Sequence, residues 1–507
     1  MDQAKAFKSK RTFPRFYLAD LLAGISVALV AIPQGMAYAE LAAVPAYTGL
    51  YAVAFASIAA AFFVSSPYLQ TGPVATTSLL TFGVLSHLAV PNSPYYLELA
   101  GLLAILVGVV RVLVGVLKLG RIAYLMSQPV LMGFTTAAAF LIFTSQIPTF
   151  LGATAPGNNI LARAFFTLIH PGQWHLDAIA LALASMLVIH LSRRVHPLFP
   201  GILVAVVLGL GVAFFLPYHS AVIGQVPSGL PAIDLTPPVK AIPNLLVGAL
   251  VIAFVGFAEA ASISRTYATQ DRSSWSADQE FISQGVANVA AGFFGGFPVG
   301  GSFSRSSVSR LAGTKTRWSG LVAGLLVLAF LPFTFILSYL PKAVLAAIVI
   351  MAVIKLLRFR ELYRLRNYSK TQAYIAWITF VLSIVLSPRI DLALLIGISL
   401  AVAHHLRREQ KVFMDIWEYA DTLHVKPKGV LWFGSSANVE EQINEALSIH
   451  KGVKKLEFHL GGVGRVDLSA ALMLKRLQED AEKAGLEVEF SGIPPMARSW
   501  VKRIWED

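Results

Sequence analysis

The chain has 507 residues, 56% hydrophobic and only 14% charged, with a mean hydropathy of +0.66; soluble globular chains carry about a quarter charged residues, so a wholly soluble fold is excluded. Its 41 Lys and Arg against 28 Asp and Glu give a formal charge of +13, but these are dispersed through short loops, which sets nucleic acid aside as a partner. Zero cysteines exclude disulfides, thiolate metal sites and cysteine nucleophiles.

Lys5, Lys8, Lys10, Arg11 and Arg15 fall within residues 1–17, expected as a short cytoplasmic segment. A cleavable signal also begins with basic residues, but here the apolar stretch continues through 24–30 into Pro33-Gln34-Gly35 and reads as a retained first span. Fourteen hydrophobic segments fall near 18–40, 48–64, 73–86, 97–117, 124–150, 176–192, 199–216, 243–264, 281–294, 303–312, 319–339, 342–357, 371–386 and 390–405. Crossing the hydrocarbon layer takes about 20 mostly apolar residues. Residues 18–406 are therefore expected to form a polytopic α-helical membrane domain. The third and tenth segments are too short and too rich in Gly, Pro and Ser to be simple spans.

With the N-terminus inside, the predicted cytoplasmic loops hold Lys118, Arg121, Arg193, Arg194, Arg265, Arg272, Lys315 and Arg317. The loop after the twelfth segment adds Arg358, Arg360, Arg364, Arg366 and Lys370, whereas the outer loops hold only Arg163, Lys240, Lys342 and Arg389. This positive-inside bias implies a multi-pass protein of the cell's inner (plasma) membrane. Charges become frequent from about Arg407, and residues 411–507 are expected as a small cytoplasmic domain.

Leu21-Leu22-Ala23-Gly24 opens the first span and Leu245-Leu246-Val247-Gly248 the eighth; Gly72-Pro73-Val74 precedes the third and Phe297-Pro298-Val299 the tenth. Both matches share nearly one offset and suggest a duplication of seven spans. Seven is odd, so the second copy is inverted across the membrane. Inverted repeats with Gly/Pro-interrupted segments point to the binding site of a secondary transporter. A helix broken in mid-membrane leaves N–H groups that only a cavity or ligand satisfies, and its N-terminus suits an anion.

Arg305 follows Ser302-Phe303-Ser304 in the first turn of the tenth segment, where a cation opposes the helix dipole. Either an anionic substrate or a structural glutamate is expected beside it. The third segment offers Thr71, Gly72, Pro73, Val74, Ala75, Thr76 and Thr77, whose small residues expose backbone donors or serve helix packing. Gln34 and Glu40 in the first span and Glu259 in the eighth are intramembrane polar groups, functional candidates by default. Glu259 is open to both readings, ligand contact or partner of Arg305. Arg111 reads as snorkelling to the cytoplasmic end of the fourth span, with no function. Gly461-Gly462-Val463-Gly464 lacks the Lys-Ser/Thr ending of a phosphate loop and reads as a turn. His404-His405 reads as interfacial. With no catalytic triad, Walker lysine or zinc set, neither enzyme chemistry, cofactor nor metal is expected, and transport would draw on ion gradients.

Asp20-Leu21-Leu22-Ala23-Gly24, Ile32-Pro33-Gln34-Gly35-Met36-Ala37-Tyr38-Ala39 and Ala43-Val44-Pro45 with Gly49-Leu50-Tyr51 resemble the signature of the sulfate permease (SulP) family. Gly300-Gly301-Ser302-Phe303-Ser304-Arg305 and Ala312-Gly313-Thr314-Lys315-Thr316 resemble its tenth-span region, and the tail from about Phe413 resembles its STAS domain. In that tail 430–433 and 455–459 read as strands and 469–484 as a helix. The resemblance, to prokaryotic-type members, implies fourteen segments in a seven-plus-seven inverted repeat. It implies a core of spans 1–4 and 8–11, a gate of spans 5–7 and 12–14, an elevator motion and a homodimer. It also implies a small anion (sulfate, bicarbonate, chloride or dicarboxylate) bound by Gln34, Tyr38, Val74, Ala75, Thr76, Glu259, Ser304 and Arg305. Sodium-coupled members carry an aspartate where Ile263 stands, so proton-coupled symport is the preferred expectation, with Glu40 as the proton carrier unless it is solvated or paired with a basic residue. Leu468, not serine, follows Asp467, which argues against STAS phosphorylation. The alternatives are an anion exchanger or uniporter, a nucleobase-type transporter of the same fold, and a membrane-tethered STAS regulator.

Overall fold

The computed structural model describes residues 15–125, 127–157, 159–227, 229–231, 237–493 and 504; Lys5, Lys8, Lys10 and Arg11, and most of the expected tail beyond 493, lie outside the described residues. The chain divides into two compact units between Ile398 and Ser399. The first begins with α1 (Leu18–Leu41), α2 (Ala46–Phe63), β1 (Thr71–Gly72), α3 (Ala75–Leu85), α4 (Pro94–Val116), α5 (Gln128–Ser145), α6 (Ile147–Phe150), α7 (Ile160–Ile169), α8 (Leu176–Val195) and α9 (Gly201–Phe215). It continues with α10 (Ile242–Gln270), α11 (Ala277–Phe293), β2 (Gly300–Gly301), α12 (Phe303–Leu311), α13 (Trp318–Phe330), α14 (Lys342–Val353), α15 (Phe359–Tyr368), α16 (Lys370–Val385) and α17 (Ile390–Glu409), within which the division falls. Each expected hydrophobic segment coincides with one of these helices or an adjoining pair; α7 and α15 are additional.

Large apolar side chains face outward, among them Leu22, Ile25, Val109, Leu113, Val116 and Phe215. An apolar exterior of this kind is stable in hydrocarbon and not in water. Inside, small residues let the helices approach closely. A Cβ on Gly49 of α2 would collide with the Gly35 carbonyl of α1, so both positions require glycine.

The duplication is written in the packing. Several of the main neighbour relations reappear when each span is exchanged for the one seven places on. Thus α2 on α13 matches α11 on α4, α1 on α12 matches α10 on α3, and α5 on α16 matches α14 on α8. At the centre β1 and β2 pair antiparallel, Thr71 opposite Gly301 and Gly72 opposite Gly300, as inverted copies must. This corrects one register. Pro73-Val74 follow β1 whereas Pro298-Val299 precede β2, so the Pro-Val match is out of step with the structural equivalence. The 11 residues of α3 and 9 of α12 extend about 16 and 14 Å at 1.5 Å per residue, roughly half the hydrocarbon layer.

Two of the sequence motifs touch. Asp20 Oδ1 accepts from Lys315 and Thr316 N–H (2.8 Å each) and its Oδ2 from Thr316 Oγ1 (2.7 Å). With Tyr17 N–H also donating to Oδ2 (3.2 Å), this buried carboxylate with four donors is satisfied, which makes Asp20 a clasp between α1 and the turn after α12.

The second unit holds β3 (Phe413–Tyr419), β4 (Thr422–Leu431), α18 (Ser436–Ile449), β5 (Lys455–His459), β6 (Val463–Val466), α19 (Leu468–Lys483) and β7 (Glu487–Ser491). Its sheet runs β3-β4-β5-β7, with β6 beside β4. The expected strand at 430–433 is a correction: β4 begins eight residues earlier and ends at Leu431, because its first half alternates buried and exposed residues around Leu423 and Val425. The Gly461–Gly464 stretch is a short 3₁₀ turn at Leu460–Gly462 running into β6. Asp467 caps α19, its Oδ1 accepting from Ala470 N–H (2.8 Å).

Candidate functional site

The two half-length helices begin where the strands end. Ser302 caps α12, its Oγ accepting from Arg305 N–H (3.4 Å), and its own N–H donates to Gln70 O (2.9 Å). Gln70 returns the contact through Ser306 Oγ (2.9 Å) and reaches Ser309 and Ser319 with its amide (3.1 Å each). No side chain caps α3, whose first intrahelical bond is Ser78 N–H to Val74 O (3.0 Å). The N–H groups of Ala75 and Thr76 therefore come before the helical ladder and are open to a ligand.

Into this junction projects Arg305, 1% exposed. Its Nη2 donates to Pro73 O (3.0 Å), while Nη1 is buried and has no partner. Gln34 Nε2 donates to Ser304 Oγ (3.2 Å), and Gln34 Oε1 is likewise buried without a partner. A half-turn of that amide lets Ser304 donate instead and leaves an N–H free where the oxygen stood. Glu259 accepts from Phe303 N–H, and Tyr38 and Glu259 both lie within electrostatic reach of Arg305. Val74 and Ala75 are buried and Thr76 half-buried. The arrangement has one guanidinium and two helix N-termini, each end worth roughly half a positive charge, set against the single carboxylate of Glu259.

Glu40 does not join this group. It pairs with Lys342 of α14 at 3.1 Å, both side chains about one-third exposed at 32%. Ile263 is buried against Val64, Leu69 and Tyr267.

Arg111 is a correction. It does not snorkel but is wholly buried, donating through Nε to Ala253 O (3.0 Å), Nη2 to Ile252 O (3.0 Å) and Nη1 to Val299 O (2.9 Å). A Cβ on Gly256 would meet Arg111 Nη2 at 2.5 Å and Thr77 Cγ2 at 2.8 Å, which puts the guanidinium beside the first turn of α3.

The family model described as the sulfate permease family matches residues 17–379, and the STAS domain model matches residues 414–504. The chain belongs to the sulfate permease family. The Bacillus subtilis protein YvdB is 31% identical over 495 residues, covering 94% of this chain and 91% of that protein. Sulfate transporter 4.1, chloroplastic, of Arabidopsis thaliana is 28% identical over 525 residues, covering 96% of this chain and 77% of the relative. The solved structure of the murine Slc26a9 anion transporter in the inward-facing state superimposes with a TM-score of 0.90 at 22% identity, covering 98% of this chain and 89% of that one, and shows the same fold. This sulfate permease chain is an anion transporter of the membrane and not an enzyme.

Beyond Arg111, the sequence reading of this permease passed over the polar stripe of α11. Glu280, Gln284 and Asn288 recur every four residues and so share a helix face. Glu280 accepts from Ser65 and Ser66 N–H (3.3 Å each), Gln284 donates to Thr71 Oγ1 (2.7 Å), and Asn288 bonds both Val299 O (3.0 Å) and Val299 N–H (2.9 Å). The stripe anchors the strand crossing from behind. Asn288→Ala orphans the buried Val299 N–H, at a cost of about 1–3 kcal/mol. Thermal unfolding of the detergent-purified protein is expected to shift down accordingly, and an unchanged midpoint would deny Asn288 this role.

Proposed function

We propose that this chain is a secondary active transporter of small anions, with sulfate, named in the Arabidopsis relative, as the first candidate. The observation that carries the reading is the buried, unpartnered Nη1 of Arg305 at the meeting point of two helix N-termini. Gln34, Tyr38, Val74, Ala75, Thr76, Glu259, Ser304 and Arg305 form the binding site, and the protein works as a homodimer of the plasma membrane with its STAS domain in the cytoplasm.

The core comprises α1–α4 with α10–α13, and the gate comprises α5, α8, α9, α14, α16 and α17. Packing supports this division: α2 on α13 and α4 on α11 lie within the first group, α5 on α16 and α8 on α14 within the second. The core, carrying the site, moves against the gate as an elevator. The Glu40–Lys342 pair joins α1 of the core to α14 of the gate. Such partly exposed pairs contribute about 0–1 kcal/mol, weak enough to open in each cycle. Pairing with a basic residue argues against a carboxylate kept protonated by burial, so the role proposed for Glu40 is through the gate alone: its protonation releases Lys342 and frees the core of a symporter. Ile263 packs in an apolar cluster where sodium-coupled members carry an aspartate.

The test is sulfate uptake into proteoliposomes with and without an inward proton gradient. Wild type is expected to be stimulated several-fold and Glu40→Gln not at all. Equal stimulation in both removes Glu40 from coupling, and no stimulation in wild type makes the protein an exchanger or uniporter.

A further inference from the structure

The sheet of the second unit has two chemically distinct faces, because successive residues of a strand point to opposite sides. Leu423 and Val425 of β4, with Leu456 and Phe458 of β5, are buried in the core formed with Ile443 of α18 and Leu474 of α19. The residues between them lie on the other face: His424 on β4, and Glu457 and His459 on β5. Strand register sets Trp417 of β3 opposite His424, His424 opposite Glu457, and His459 opposite Ser491 of β7.

Those side chains converge. His424 Nδ1 is 3.0 Å from His459 Nε2 and 3.3 Å from a Glu457 carboxylate oxygen, and one donor atom from each of the three lies within 4.8 Å of the others. Metal–nitrogen bonds of about 2.0–2.1 Å in tetrahedral geometry hold neighbouring donors about 3.3 Å apart, close to the 3.0 and 3.3 Å that separate His424 Nδ1 from the other two groups. His459 Nδ1 is 2.9 Å from Ser491 Oγ, which orients the ring and leaves Nε2 for a ligand, as outer-shell partners of metal-binding histidines do. Trp417 stacks on both imidazoles, ring centroids 5.2 and 5.5 Å apart, closing one side. His459 and Trp417 also border a hollow of about 450 Å³ lined by Lys426, Gly461 and Ser491.

We propose that His424, Glu457 and His459 form a binding site for a divalent transition metal of the zinc class, with an open coordination position facing the hollow. Two imidazoles and one carboxylate select Zn²⁺, Co²⁺ or Ni²⁺ over Mg²⁺ and Ca²⁺, which prefer all-oxygen sites. The metal ties β4 to β5 and makes the second unit responsive to metal availability. The sequence hid this site because the ligands come from two strands separated by a helix.

The test uses the full-length protein in detergent, stripped with a chelator and titrated with ZnCl₂ and CoCl₂. One Zn²⁺ per chain is expected, with visible Co²⁺ absorption bands of low-symmetry coordination and Co²⁺ quenching of tryptophan fluorescence that is lost in Trp417→Phe. His424→Gln and His459→Gln are each expected to weaken Zn²⁺ binding at least about tenfold, whereas the His404→Gln/His405→Gln double variant, altered at the other histidine cluster, is expected to bind as wild type. Absence of the Co²⁺ bands from wild type overturns the proposal without recourse to any variant. Zn²⁺ affinity unchanged in both single variants overturns it equally, leaving a hydrogen-bonded histidine pair stacked under Trp417.

Discussion

Arg305→Ala is expected to lower sulfate uptake about 100-fold or more while the purified protein stays folded and monodisperse. Two charge-assisted hydrogen bonds to an anion, at about 1.5–3 kcal/mol each, correspond to at least a hundredfold loss at 1.4 kcal/mol per decade. The guanidinium gives up one protein hydrogen bond among the described contacts, to Pro73 O at 3.0 Å, together with its electrostatic interaction with Glu259. Arg305→Lys keeps the charge but not the planar fork and is expected to fall between the two. Initial-rate uptake in proteoliposomes, beside size-exclusion profiles, checks this. Wild-type kinetics in Arg305→Ala would detach the residue from the substrate, and an aggregated variant would make it a strut between α12 and the end of β1.

The fourteen segments were legible because hydrocarbon imposes long apolar runs, and Arg305 was legible because a cation at a helix N-terminus contradicts local electrostatics. The register of the repeat was not, since a two-residue strand crossing has no hydrophobic period and Pro-Val recurs on opposite sides of it. Glu40 could be marked as a costly carboxylate, but its partner Lys342 comes from the opposite copy, and no local pattern joins α1 to α14. Asn288 sits in a helix of small residues, and only the return of Val299 onto that face gives its amide a task. Arg111 was misread for a related reason. Near the end of one apolar helix an arginine looks free to reach water, and the sequence does not say that α10 and the approach to β2 cover it.

That burial leads to the second large effect, Arg111→Met. Burying an ion costs several kcal/mol even after relaxation, and no carboxylate pairs with Arg111 among the described ion pairs; three backbone carbonyls solvate it. Those of Ile252 and Ala253 lie within α10, where helical partners remain, and Val299 O keeps Asn288. Replacement by methionine therefore orphans little and removes a desolvated charge, so the thermal midpoint is expected to hold or rise. Transport is expected to suffer instead. A unit charge about 10 Å from a bound anion at an effective dielectric of about 20 contributes roughly 1.7 kcal/mol per anion charge, and the guanidinium and Thr77 of the first turn of α3 both border Gly256. The KM for sulfate is thus expected to rise by about tenfold or more, and more for a divalent than for a monovalent anion. A midpoint that collapses while KM stays constant would reduce Arg111 to a scaffold. An unchanged midpoint with unchanged KM would show that its field does not reach the substrate. The expected pairing, stability kept and affinity lost, would mean that the permease tolerates a buried cation beneath its site because that cation helps to hold the anion there.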